Sequence, residues 1–246
     1  MVEANKERSV LETVANDSWY EDQMGLAMIR HCFRIFRRYI RPGDKVLEMG
    51  PAEGTMTELL LRDGFEVEVC EGSSTFAHML RERFPAPSHS LLVHEALFEE
   101  FEPVDRFDVI ILGHVLEHVE DPVAILQRLK DWLVPETGRV LIAVPNARSL
   151  HRQAAVVMGL IPTEYAMSEK DLHHGHRRIY NPESLRADFI AAGLSIEVFG
   201  GYWLKPLSDR QLEEQWSPEQ LSAYMALGER YPDIAAELFI VASIPA

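Results

Sequence analysis

The chain has 246 residues, 47% of them hydrophobic, enough to fill the core of one α/β domain rather than two independent ones. Lys and Arg total 24 against 39 Asp and Glu, a net charge of -15 that repels phosphate backbones and anionic membrane surfaces, so neither nucleic acid nor membrane is expected as a partner. Cys32 and Cys70 are too few for a disulfide framework or a cysteine-rich zinc site, Met1 to Ser9 has no apolar export core, and the apolar runs are strand-sized; a cytoplasmic protein is expected.

The first expected element is a helix from Trp19 to about Tyr39, where Met24, Ala27, Met28, Phe33, Ile35 and Phe36 recur at helical spacing before the breakers Arg41-Pro42-Gly43-Asp44. Arg30, Arg34, Arg37, Arg38 and Arg41 form a basic stripe on it that reads as a solvated face. Lys45 to Met49 reads as a buried strand running into the turn Gly50-Pro51-Ala52-Glu53-Gly54 and a helix from Thr55 to Arg62. Then come a strand at Glu66 to Cys70, a helix at Thr75 to Phe84, and strands at Leu91 to His94 and Phe107 to Leu112. Asp121 as cap with Pro122 behind it opens a helix to about Leu133, and Arg139 to Val144 is the next strand.

Beyond Asn146 a helix is expected from about Ser149 to Met158, then a polar, histidine-rich stretch from Thr163 to Tyr180 and a helix opened by Asn181-Pro182-Glu183. Ser195 to Phe199 and Glu237 to Ser243 read as the last strands, separated by a helical insertion at about residues 207–231. Strands alternating with helices imply an α/β fold with a mostly parallel, Rossmann-like sheet covered on both faces. Residues 1–42 are expected as a helical N-terminal segment, 43–146 as the α/β core and 147–246 as a second half carrying the insertion.

The strand-turn-helix around Gly50 is the strongest local signal, because glycines let the backbone approach a ligand at the carboxyl end of a strand. Ala52 and Thr55 stand where a G-x-G-x-x-G dinucleotide fingerprint needs its later glycines, which argues against a nicotinamide-dependent oxidoreductase. Glu71, about 20 residues on, ends the second strand where a carboxylate can accept both ribose hydroxyls. Together they describe an adenosine site.

In these motifs the sequence resembles the class I S-adenosylmethionine-dependent methyltransferases, within them the ubiquinone-biosynthesis O-methyltransferases and natural-product methyltransferases, over roughly Val46 to Asn146. LEMGPAEG matches the first motif with Glu48 in the acidic place, while Pro51 and Ala52 depart from the commoner G-C-G form. By the same resemblance Gly50, Pro51 and Gly54 shape the cofactor turn, Glu71 holds ribose, and Gly72 and Phe76 pack the adenine. Glu95, Ala96 and Leu97 match the segment at the adenine edge, with Glu95 where Asp is usual. FDVIILGHVLEHVEDP, containing Gly113 and His114, matches the fourth-strand motif closely. The resemblance implies a seven-stranded sheet, S-adenosylmethionine as cofactor, S-adenosylhomocysteine as product and transfer to an oxygen or nitrogen of a small-molecule acceptor, with residues 1–42 as a helical lid, 43–146 as the cofactor-binding core and 147–246 as the acceptor-side half. A cofactor-binding regulatory protein without turnover is the alternative.

His114-Val115-Leu116-Glu117-His118 also satisfies the peptidase zinc motif H-x-x-E-H, but it lies between a strand end and a helix cap rather than on a regular helix. Some relatives, including the small-RNA 2'-O-methyltransferases of plants, carry E-x-x-E-H here with a later histidine to hold a divalent ion. His114, Glu117 and His118 are therefore metal candidates, set against a role in ordering the loop, and activity is expected to survive a chelator. His173, His174 and His176 follow the fifth strand, where the superfamily builds its acceptor wall. His118, His174 and His176 are the candidate general bases, since an imidazole that titrates near neutrality can take the proton of an attacking hydroxyl. Trp19 and Tyr20 are lid candidates.

Overall fold

The structure is a computed structural model that describes residues 2–18, 22–85, 91–213 and 215–245; Trp19 and Tyr20 lie outside the described residues. Seven strands form one sheet: β1 (Lys45–Met49), β2 (Glu66–Glu71), β3 (Leu91–Glu95), β4 (Val109–Gly113), β5 (Arg139–Pro145), β6 (Ser195–Tyr202) and β7 (Glu237–Ser243). Their order is β3-β2-β1-β4-β5-β7-β6, with β7 antiparallel to both β5 and β6. The remaining neighbours pair in parallel, as expected for a mostly parallel sheet.

Central strands are buried almost along their length, and side-chain alternation sorts them onto two cores. Val46, Val109, Ile111, Leu141 and Ala143 pack on one face with the helices α2 (Gln23–Phe36) and α3 (Thr55–Arg62). Leu47, Met49, Ile110, Leu112, Val140 and Ile142 pack on the other with α5 (Pro122–Trp132) and α8 (Pro182–Ala191). Local chemistry starts the helices where the sequence indicates. Asp121 Oδ1 accepts from Ala124 N at 2.9 Å, and Asn181 Oδ1 accepts from Ser184 N at 2.7 Å, each ahead of a proline.

Several expectations are corrected. The helical N-terminal segment holds two helices rather than the one placed from Trp19, with α1 (Val2–Asn16) ahead of α2, and the polar stretch after β5 contains α7 (Glu169–His173), started by a Ser168–Asp171 capping box. Phe107 does not open β4; it makes an isolated parallel bridge to Leu133. The remaining helices are α4 (Ser74–Arg83), α6 (Leu150–Val157), α9 (Asp209–Glu213) and α10 (Pro218–Gly228), the last two inside the expected insertion. No helix among the described residues is long and apolar enough to cross a membrane.

Candidate active site

Strand order reverses between β1 and β4, and sheets of this kind open a crevice outside the carboxyl ends of the strands at that point. A cavity of about 340 Å³ lies there, reached by the turns after β1, β2, β4 and β5. Of the expected cofactor residues it is lined by Glu48, Gly50, Pro51, Glu71, Gly72, Phe76, Leu97, Gly113 and His114. Gly50 adopts φ +65°, and a Cβ there would meet Val115 Cγ2 at 3.0 Å. Three expected residues do not reach the cavity. Gly54 turns at φ +86° against α4, where a Cβ would meet Leu80 Cδ2 at 2.5 Å, so helix packing requires it. Glu95 pairs outside with Arg81 at 3.1 Å, and Ala96 spends its N–H on Glu71 O. Phe98 and Glu99, just beyond the matched segment, line the cavity instead.

Glu71 sits 4% exposed, its carboxylate accepting from Ser73 N at 2.8 Å and Ala52 N at 3.2 Å. Burial outweighs those bonds and pushes its pKa up to about 7. Burial likewise raises Glu48 to about 7, against a 2.6 Å hydrogen bond from Thr57 Oγ1. Glu12 of α1 accepts from Ser74 N at 2.6 Å and Thr75 Oγ1 at 2.6 Å, laying that helix over the end of the cavity lined by Glu71, Gly72 and Phe76.

The β4 loop holds a second cluster. His114 takes φ +60°, its Nε2 lying 3.1 Å from Tyr202 Oη and its Nδ1 3.5 Å from Glu117 Oε1 and 3.8 Å from Glu237 Oε2. Burial opposes its charge, but the two carboxylates prevail and raise its pKa. Glu237 was not foreseen; it starts β7 with no motif around it, and burial lifts it to about 7. Glu117 is fully buried, and burial is outweighed by His114 and His118, which hold its carboxyl below the ordinary range.

His118 and His176 stack edge to face at 4.7 Å, and ligating atoms of Glu117, His118 and His176 lie within 4.8 Å of one another. His114, with both nitrogens directed to Tyr202 and the carboxylates, is not in that group. Burial, with its histidine neighbours adding and Glu117 opposing, lowers His118 to about 4; burial with Lys170 and His176 lowers His174 to about 4. Both imidazoles are neutral at neutral pH and line the same cavity as Glu71. Arg178, another residue the sequence does not single out, clamps the β4 loop through Leu116 O at 2.9 Å, Glu120 O at 2.8 Å and Val119 O.

Comparison with known proteins accords with this geometry. Residues 20–197 match a methyltransferase domain family. The ubiquinone biosynthesis O-methyltransferase of Rhodopseudomonas palustris (strain BisB5) is 26% identical over 194 residues, covering 77% of this chain and 72% of the relative. That of Aeromonas salmonicida (strain A449) is 28% identical over 171 residues, covering 68% and 70%. Among solved structures, magnesium protoporphyrin IX methyltransferase from Synechocystis PCC 6803 with bound SAH aligns at a TM-score of 0.65 and 14% identity, over 98% of this chain and 99% of that one. The glycopeptide N-methyltransferase MtfA aligns at 0.60 and 14% identity, over 89% and 90%. With more than half of its length inside the family match, this chain belongs to the methyltransferase domain family.

Proposed function

We propose that the chain transfers the methyl group of S-adenosylmethionine to a hydroxyl oxygen of a small molecule, releasing S-adenosylhomocysteine. The observation that carries this reading is the meeting, in one cavity, of the buried carboxylates Glu48 and Glu71 with the neutral imidazoles of His118 and His174. Bound S-adenosylmethionine supplies an electrophilic methyl carbon on a sulfonium. In this reading Glu71 accepts hydrogen bonds from a vicinal diol, and Gly72, Phe76 and Leu97, which line the same cavity, form an apolar wall for a flat ring. The protein's part is to align acceptor and methyl and to exclude water. An imidazole of His118, His174 or His176 accepts the hydroxyl proton as the oxygen attacks.

A second reading rests on the convergence of Glu117, His118 and His176. Carboxylate and imidazole suit a divalent ion, and among the described residues the one ion-pair partner of the buried Glu117 carboxylate is His114 Nδ1 at 3.5 Å. These three residues would hold the ion, which would make an acceptor hydroxyl more acidic. The test is formation of S-adenosylhomocysteine with a panel of hydroxylated acceptors, with and without a chelator. Turnover that survives the chelator and falls by about 10²–10⁴-fold in His118→Ala, His174→Ala or His176→Ala supports a histidine base. Loss with the chelator, restored by a divalent ion, selects the metal reading; cofactor binding with no product from any acceptor selects a regulatory protein.

A further inference from the structure

We propose that Trp203, Lys205 and His151, on the β6 side of the cavity, form a subsite for a carboxylate carried by the acceptor, a step that rests on the methyltransferase reading. Trp203 is 2% exposed, yet its indole Nε1–H meets no acceptor among the described residues. The residue is held at φ +65° by backbone bonds to Met225 O at 2.9 Å and from Ala236 N at 2.8 Å. Gly228 presses on it so closely that a Cβ would lie 2.3 Å from Trp203 N. A non-glycine residue kept in that conformation marks a site where the surrounding structure imposes the side chain's aim.

Lys205 is 8% exposed with its Nζ 4.5 Å from the centre of the Trp203 ring. An ammonium has three donors, and Asp209 Oδ1 at 2.5 Å is its one ion-pair partner among the described residues. His151 Nδ1 is buried and likewise lacks a partner. All three residues line the cavity. Buried donors without acceptors are costly, and a ligand that brings oxygens relieves that cost. A carboxylate offers two oxygens and no proton to the Trp203 N–H and the Lys205 ammonium, with His151 joining them in its Nδ1–H tautomer, whereas an amine would set donors against those of the tryptophan and the lysine. Asp209 and Glu237 also line this wall, so an acid binds here through the donors that Asp209 leaves free on the Lys205 ammonium and through the Trp203 N–H rather than through an excess of positive charge. The acceptor is thus a hydroxy acid, its carboxylate on this wall and its hydroxyl toward the histidines.

Benzoate is the probe and benzamide its uncharged control, titrated into the full chain with and without S-adenosylhomocysteine. The four tryptophans give indole N–H resonances among which Trp203→Phe identifies the reporting one. Benzoate is expected to move that resonance downfield with saturation in the millimolar range, benzamide to leave it in place, and Lys205→Met to weaken benzoate at least tenfold while still binding S-adenosylhomocysteine. Lys205→Gln replaces Lys205→Met should the latter fail to fold. Equal shifts from benzamide, no shift from benzoate, or unchanged benzoate affinity in the lysine variant would overturn the subsite. Calorimetry separates the two ideas: a protein that binds S-adenosylhomocysteine but ignores benzoate loses the subsite alone, whereas one that binds benzoate but not S-adenosylhomocysteine loses the methyltransferase reading.

Discussion

Ala52, His114 and Trp203 all line the cavity and all hold positive φ without being glycine. Such backbone is kept only where neighbours over-determine it, which is why it gathers where side chains must be aimed. Glu71 depends on one of them, since the Ala52 N–H is among its donors. Replacing Glu71 by Ala should weaken S-adenosylhomocysteine binding by about 1.5–3 kcal/mol, the scale of a hydrogen bond to a charged group; unchanged affinity in calorimetry would remove Glu71 from the site. Burial leaves this carboxyl near 7, so it is largely protonated at pH 6 and ionised at pH 8. The ionised form is the better acceptor for two hydroxyls, so affinity should rise across that range with net proton release, read as a buffer-dependent binding enthalpy. Glu71 is legible in the sequence because a strand end and a fixed distance from the glycine turn locate it. Trp203, Lys205 and Glu237 are not, because they reach the cavity only when β6 and β7 come beside β5, and no short spacing records that.

Among the elements, α1 and the segment after α7 act as two clamps on the cavity. Glu12 holds α1 to the start of α4, while Glu7 meets Arg177 at 2.5 Å and His173 Nε2 lies 2.7 Å from Asp17 O, so the helix bridges the Glu71 end of the cavity and the histidine loop. Glu12→Ala should speed release of S-adenosylhomocysteine about fivefold, which corresponds to about 1 kcal/mol for a half-exposed carboxylate with several bonds; stopped-flow release at the wild-type rate would leave α1 without a role as a lid. Arg178 ties the histidine loop to the carbonyls around Glu117 and His118, a span that one lysine ammonium cannot reproduce. Arg178→Ala should therefore cut turnover while cofactor affinity persists, with Arg178→Lys failing to restore it; an equal loss of both would make the residue a general support. Both clamps escape a reading by periodicity. The first two turns of α1 are mostly polar or charged, which leaves its apolar stripe to Val10, Leu11, Val14 and Ala15, and α7 is five residues long, held by its capping box and by Arg152 at 3.6 Å from Asp171.

For the whole molecule, the strands were legible because buried parallel strands are near-continuous apolar runs bounded by breakers, which leaves little freedom in where β1, β4 and β5 start and stop. What those runs do not disclose is how much charge the sheet buries at its carboxyl ends, and that charge governs stability against pH. Glu48, Glu71 and Glu237 are each raised by burial to about 7 from an ordinary 4.5, so the folded chain binds more protons than the unfolded one within that window. Their contribution is complete below about 4.5 and is lost as pH rises through 7. His118 and His174 at about 4 and His151 at about 3 behave oppositely: from an ordinary 6.5 their folded values fall, so stability is present above 6.5 and lost as pH drops toward those values. Between 4.5 and 6.5 the two sets offset, which predicts a plateau, with a steep acid limb below it. Above it a shallow alkaline limb of about 1 kcal/mol remains from the carboxylates. Urea unfolding from pH 4 to 9 in the presence of a chelator should trace this shape. Glu237→Gln cannot ionise, so it should flatten the alkaline limb while leaving the acid limb in place; an alkaline limb as deep as that of the unaltered chain would mean that Glu237 does not carry this burial-raised proton.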